Sequence, residues 1–173
     1  ILPTEFRFAI EFRDLSWLRD ETWRLLEKYS VAYTIVDEPV LPAEVHVTTN
    51  IAYVRWHGKG ERPWYNYCYE KEELEPWIPK IKETIEKTDK VYGYFNNHYH
   101  GYAVKNCLEV MEMLGILTPE QGKAKRVVSR YFEAEAKMPR EEKQVMALTA
   151  FMPEKVQEMG FQELLQIFMP TYK

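Results

Sequence analysis

Short β-branched and aromatic runs alternate with stretches of helical periodicity over the first 115 or so residues, and that alternation constrains the fold more than any other feature. Residues 6–12, 31–36, 51–56 and 91–95 read as strands. Between them, Leu18, Leu25, Leu26 and Tyr29 mark one helix face, with Ser16 as the expected N-cap and Asp20 and Glu21 in the first turn. Leu74, Trp77, Ile78, Ile81 and Ile85 mark a second face. Ala103, Val104, Cys107, Leu108, Met111 and Leu114 mark a third, closed by Gly115. The prolines at 39 and 42 break the chain after the second strand, so the stretch to Asn50 is expected to be a loop or a degenerate crossover. Strands alternating with helices predict an α/β fold with parallel pairing and right-handed crossovers. With 46% apolar and 29% charged residues, the chain can bury a core and keep a solvated surface.

After Leu117 the pattern is helical only. The expected organisation is an α/β domain over residues 1–117 and a helical extension over 118–173, the latter carrying Met138, Met146, Met152, Met159 and Met169. Met and aromatic residues at helical spacing read as core or partner interface. No apolar run approaches the ~18 residues of a membrane helix. A net charge of -4 excludes a basic nucleic-acid coat. Cys68 and Cys107, far apart and without metal-ligand spacing, predict structural thiols in a reducing, cytoplasmic setting. The chain opens Ile1-Leu2-Pro3 without a signal-peptide pattern, and so abrupt an opening is expected of a processed chain or a fragment.

Each proposed strand ends in side chains able to do chemistry: Glu11 and Arg13, then Asp37, then Arg55 and His57, then Asn96, Asn97 and His98. Parallel strands point their carboxyl ends one way, so these groups are expected to share one cleft, where α/β sheets and barrels bind ligands. The plain alternative is that strand ends are wet and therefore polar. Glu11, Asp37 and His57 are the candidate catalytic residues, Glu11 and Asp37 as base or metal ligand and His57 to hold or protonate the substrate. Arg13, Arg55, Asn96, Asn97 and His98 are candidates for substrate binding, with Arg55 suited to a carboxylate or phosphate. Glu11, Asp37, His57 and His98 could form a nitrogen–oxygen metal set, although no compact motif supports one and the cofactor stays open. An anion is also expected near Asn97, His98 and Gly101, where a helix begins. The loop from Gly58 to Tyr69 carries Lys59, Arg62, Trp64, Tyr65, Tyr67 and Tyr69. It reads either as a packed lid or as a surface where Trp64 and Tyr65 stack on bases or sugars.

Three blocks then resemble the YecE-like family, catalogued as domain of unknown function 72. They are residues 8–17 (FAIEFRDLSW), residues 53–58 (YVRWHG), and YFNNH at 94–98 with GYAVKN at 101–106. The resemblance covers roughly residues 6–114. It implies the later half of a TIM-like (β/α)8 barrel, its four strands being the fifth to eighth, followed here by a helical extension. Half a barrel leaves open edges and an open face. The missing first half or a second copy of the chain is therefore the expected protein partner. The family transfers no activity, since a fold does not fix function. The readings carried forward are metal-assisted hydrolysis of a phosphate-bearing or nucleic-acid substrate, a binding module for nucleotide, nucleic acid or sugar, and an assembly subunit.

Overall fold

A computed structural model describes residues 3, 5–61 and 63–139. Four strands, β1 (Ala9–Ile10), β2 (Ala32–Asp37), β3 (Ile51–Trp56) and β4 (Lys90–Phe95), form one sheet in the order β1-β2-β3-β4. Every pairing is parallel, as the alternation predicts. The α-helices among the described residues are α1 (Asp20–Lys28), α2 (Lys71–Leu74), α3 (Trp77–Lys87), α4 (Tyr102–Leu114) and α5 (Pro119–Lys137). The chain divides into a compact unit of residues 1–126, which holds all four strands, and a second unit from residue 127 onward. Four of the five methionines of the predicted tail, Met146, Met152, Met159 and Met169, lie outside the described residues, as does Arg62. Among the described residues no helix is long and apolar enough to cross a membrane.

The register sorts side chains onto two faces, because successive residues of a strand point opposite ways. Tyr33, Ile35, Val54 and Trp56 share the face packed by Trp23 and Leu26 of α1, Trp77 and Ile81 of α3, and Val110 of α4. Trp56 stacks on Phe95 at 4.6 Å and meets Trp77 edge-on at 5.4 Å. A Cβ at Gly93 would come within 3.2 Å of the Trp56 ring, so a strand glycine makes room for this indole. Ala9, Thr34, Tyr53, Arg55, Tyr92 and Tyr94 point to the opposite face, where they line an open hollow of about 460 Å3.

Local chemistry moves three predicted boundaries. Ser16 does not cap α1: Asp14 accepts from the Ser16 N–H at 2.9 Å and caps a 3-10 turn at Leu15–Trp17, and α1 begins at Asp20. The long strand expected over residues 6–12 pairs only through Ala9 and Ile10, since β1 is an edge with one neighbour. The second helical face splits at Glu75 and Pro76, where α3 restarts; Pro79 sits in its first turn, where a missing N–H costs nothing.

Residues 38–50 form neither helix nor strand, and Thr48 holds them to the start of β2 through two buried bonds. Thr48 Oγ1 donates to the Val31 carbonyl at 2.7 Å and accepts from the Tyr33 N–H at 2.9 Å. Thr48→Val keeps the shape and removes both bonds, so it is expected to cost about 1–2 kcal/mol. Urea unfolding of the variant checks this, and an unchanged midpoint would contradict it.

Candidate functional site

At the carboxyl end of the open face the strands converge on one carboxylate. Glu11, just beyond β1, accepts from Arg55 Nη1 at 2.6 Å through Oε2. Its Oε1 takes His57 Nε2 at 3.1 Å and pairs with Arg13 Nη2 at 2.5 Å. Arg13 Nη1 reaches Glu38 Oε2 at 3.1 Å. On the far side, Asn96 Nδ2 donates to His57 Nδ1 at 3.2 Å. An amide donor on Nδ1 places the His57 proton on Nε2, facing Glu11, so both ring nitrogens are engaged and the side chain is 2% exposed. One hydrogen-bonded chain thus runs Glu38–Arg13–Glu11–His57–Asn96, with Arg55 branching from Glu11.

Burial pushes the Glu11 carboxyl up. Hydrogen bonds from His57 and Arg55, with the Arg55 charge, outweigh burial and hold it at about 2. Glu11 is therefore a fixed anion at neutral pH. Its role is to aim cations. Arg55 keeps a 28% exposed side chain over the hollow, which Arg7, Tyr53, Tyr92 and Tyr94 also line. Tyr53 stacks on Tyr94 at 5.0 Å and lies 6.2 Å from Tyr92. A guanidinium backed by a carboxylate and flanked by phenols suits a phosphate or carboxylate.

Five predicted site residues do not join this set: Asp37, Asn97, Trp64, Tyr65 and His98. Asp37 is one residue out of phase with Thr34 and Val36, and it faces the helices. Its Oδ2 accepts from Trp77 Nε1 at 3.2 Å and lies 3.4 Å from Lys59 Nζ. Asn97 is likewise out of phase with Asn96. It is fully buried, donating through Nδ2 to the Tyr67 carbonyl and to Asn106 Oδ1, each at 2.8 Å. Asp37 and Asn97 therefore hold the 57–70 loop down on the helix side and do not open into the hollow. The residue missed in the sequence is Glu38, buried and in phase with Thr34 and Val36. Counting in twos from Thr34 would have selected it over Asp37.

The loop itself is a packed lid on its inner side. Gly58, at φ +94, leaves no room for a side chain, since a Cβ would lie 2.2 Å from the Trp64 carbonyl oxygen. Its N–H donates to the Tyr69 hydroxyl at 2.9 Å. Tyr67 donates to Glu73 at 2.6 Å, and burial with that bond pushes its phenol up. Trp64 is half-buried, whereas Tyr65 is exposed and stacks at 5.8 Å on His98. His98 is also exposed, and its Nδ1 lies 2.9 Å from the Asn96 carbonyl. Among the described residues no three His, Cys, Asp or Glu side chains converge as metal ligands, so Glu11, Asp37, His57 and His98 are not a metal set here.

The family model described as "Protein of unknown function DUF72" matches residues 1–131. The UPF0759 protein YunF of Bacillus subtilis is 28% identical over 140 residues, covering 65% of this chain and 50% of its own length. A DUF72 family protein of Thermotoga maritima, known from its crystal structure, superposes with a TM-score of 0.61 at 36% identity, covering 64% of this chain and 46% of its own. A DUF72 family protein of Enterococcus faecalis gives the same TM-score at 25% identity, covering 66% and 51%. The chain spans about half the length of the relatives it matches.

Proposed function

The chain belongs to the DUF72 family, and on that premise we propose that it is the later half of a TIM-like barrel whose strand ends bind a phosphate-bearing ligand through Arg55. The observation that carries the reading is the salt bridge from Glu11 to Arg55. It fixes a part-exposed guanidinium at the carboxyl end of the sheet face that carries the hollow. Parallel order β1-β2-β3-β4 leaves β1 and β4 as edges running the same way, which is what four further strands would need to close a barrel. A span of half the relatives' length fits that reading. The first half of the family domain is accordingly the proposed protein partner.

Binding is favoured over hydrolysis. Glu11 is held at about 2, far from the operating range of a general base at neutral pH. His57 has both nitrogens engaged. In this reading Glu11, Arg13, His57 and Asn96 are positioning residues, and Arg55 is the group that touches ligand.

Arg55→Ala is expected to weaken binding of ribose 5-phosphate at least tenfold while shifting the melting temperature by only a few degrees, because Glu11 keeps Arg13 and His57. Calorimetric titration of wild type, Arg55→Ala and Arg55→Lys checks it, the lysine variant recovering part of the loss. Equal affinity in wild type and the alanine variant would overturn the proposal. So would a collapse in melting temperature, which would make Arg55 a structural residue.

A further inference from the structure

We infer that the ligand held by Arg55 carries a flat heteroaromatic ring, as a nucleoside monophosphate does, and that this ring lies on a shelf formed by Tyr65, His98 and Tyr99. The inference rests on Arg55 holding the anion. His98 is flanked by two rings that lie nearly parallel to it, Tyr65 at 5.8 Å and 22° and Tyr99 at 5.2 Å and 27°. Both tyrosines are 38% exposed, and His98 between them is exposed as well. The shelf is also fixed in orientation. The His98 Nδ1–H donates to the Asn96 carbonyl at 2.9 Å. The same Asn96 holds His57 through its amide, His57 meets Glu11, and Glu11 holds Arg55, so a chain of polar contacts runs from the shelf to the guanidinium.

All three rings keep part of their surface open to solvent. A flat ring on such a shelf gains stacking whatever its identity. The net charge of -4 argues for a single phosphate-bearing molecule over a nucleic-acid strand.

The test is calorimetric titration of the chain with AMP, ribose 5-phosphate and adenosine, using wild type, Tyr65→Ala and His98→Ala. The expected result is that AMP binds about tenfold or more tightly than ribose 5-phosphate. Tyr65→Ala should erase that difference and leave ribose 5-phosphate binding unchanged. Equal affinity for AMP and ribose 5-phosphate in wild type would overturn the shelf and leave the Arg55 site standing. Adenosine binding that depends on Tyr65, with no gain from the phosphate, would keep the shelf and overturn the Arg55 site. Failure of all three compounds to bind would overturn both.

Discussion

Asn106→Ala will lower the melting temperature by roughly 10 °C, corresponding to a loss of about 3–4 kcal/mol. Asn106 sits on α4, fully buried, and both ends of its amide are used. Oδ1 accepts from the Tyr69 N–H at 3.1 Å and from Asn97 Nδ2 at 2.8 Å. Nδ2 donates to the Tyr69 carbonyl at 2.8 Å and to Glu109 Oε2 at 2.9 Å. Truncation strands the peptide groups of Tyr69 away from water, and each stranded group costs about 1–3 kcal/mol. Tyr69 also carries the hydroxyl that accepts from Gly58, so Asn106 steadies the residue that holds the start of the loop. Asn97→Ala is the internal comparison. Asn97 Oδ1 is already buried without a partner, and Asn106 Oδ1 keeps Tyr69 when Asn97 is lost. The Asn97 variant is therefore expected to lose less than about half as much. Thermal melts of the two variants decide the matter, and an Asn97 effect equal to that of Asn106 would contradict the assignment.

Glu11→Gln will destabilise the chain by roughly 2–3 kcal/mol at neutral pH, and the difference from wild type will close as the pH falls. The folded Glu11 carboxyl sits at about 2, below its ordinary 4.5. A carboxyl depressed in this way contributes its full stabilisation above its unfolded value and loses it as pH drops toward the folded one. The window is thus about pH 4.5 to 2. Melting curves of both proteins between pH 7 and 2.5 should converge toward the acid end. A gap that stays constant across this range would show that the variant acts through packing and not through the lost charge. The substitution should also weaken phosphate binding, because a neutral amide no longer fixes the Arg55 guanidinium it faces at 2.6 Å.

Much of this arrangement is legible in the amino-acid sequence. The four strands, their parallel direction and the polar character of their carboxyl ends follow from the alternation of apolar runs and helical faces. Glu11, Arg55, His57 and Asn96 then meet because they share both direction and phase. Asp37 and Asn97 share direction alone. Phase depends on which strand residue faces the core. In β2 all six residues are buried, so the apolar pattern carries no alternation to count from. The partner strand β3 does carry it, since Tyr53 and Arg55 are only half-buried while Val54 and Trp56 are buried. Registering β2 on β3 brings out Glu38. The start of α1 was misplaced for a different reason: Ser16 and Asp14 are both good caps, and the choice between them rests on a 3-10 turn with no sequence period of its own. The shortness of β1 depends on what lies beyond the edge of the sheet, which the residues of that strand do not encode.

The central claim is that the open face, at the level of Glu11 and Arg55, is where an anion binds. A crystal of the chain soaked in phosphate tests it most directly. The expected result is an anion within hydrogen-bond distance of the Arg55 guanidinium, on the side of the sheet away from α1, α3 and α4. An anion found instead at the start of α4 beside Gly101, with the Arg55 side chain bare, would contradict it.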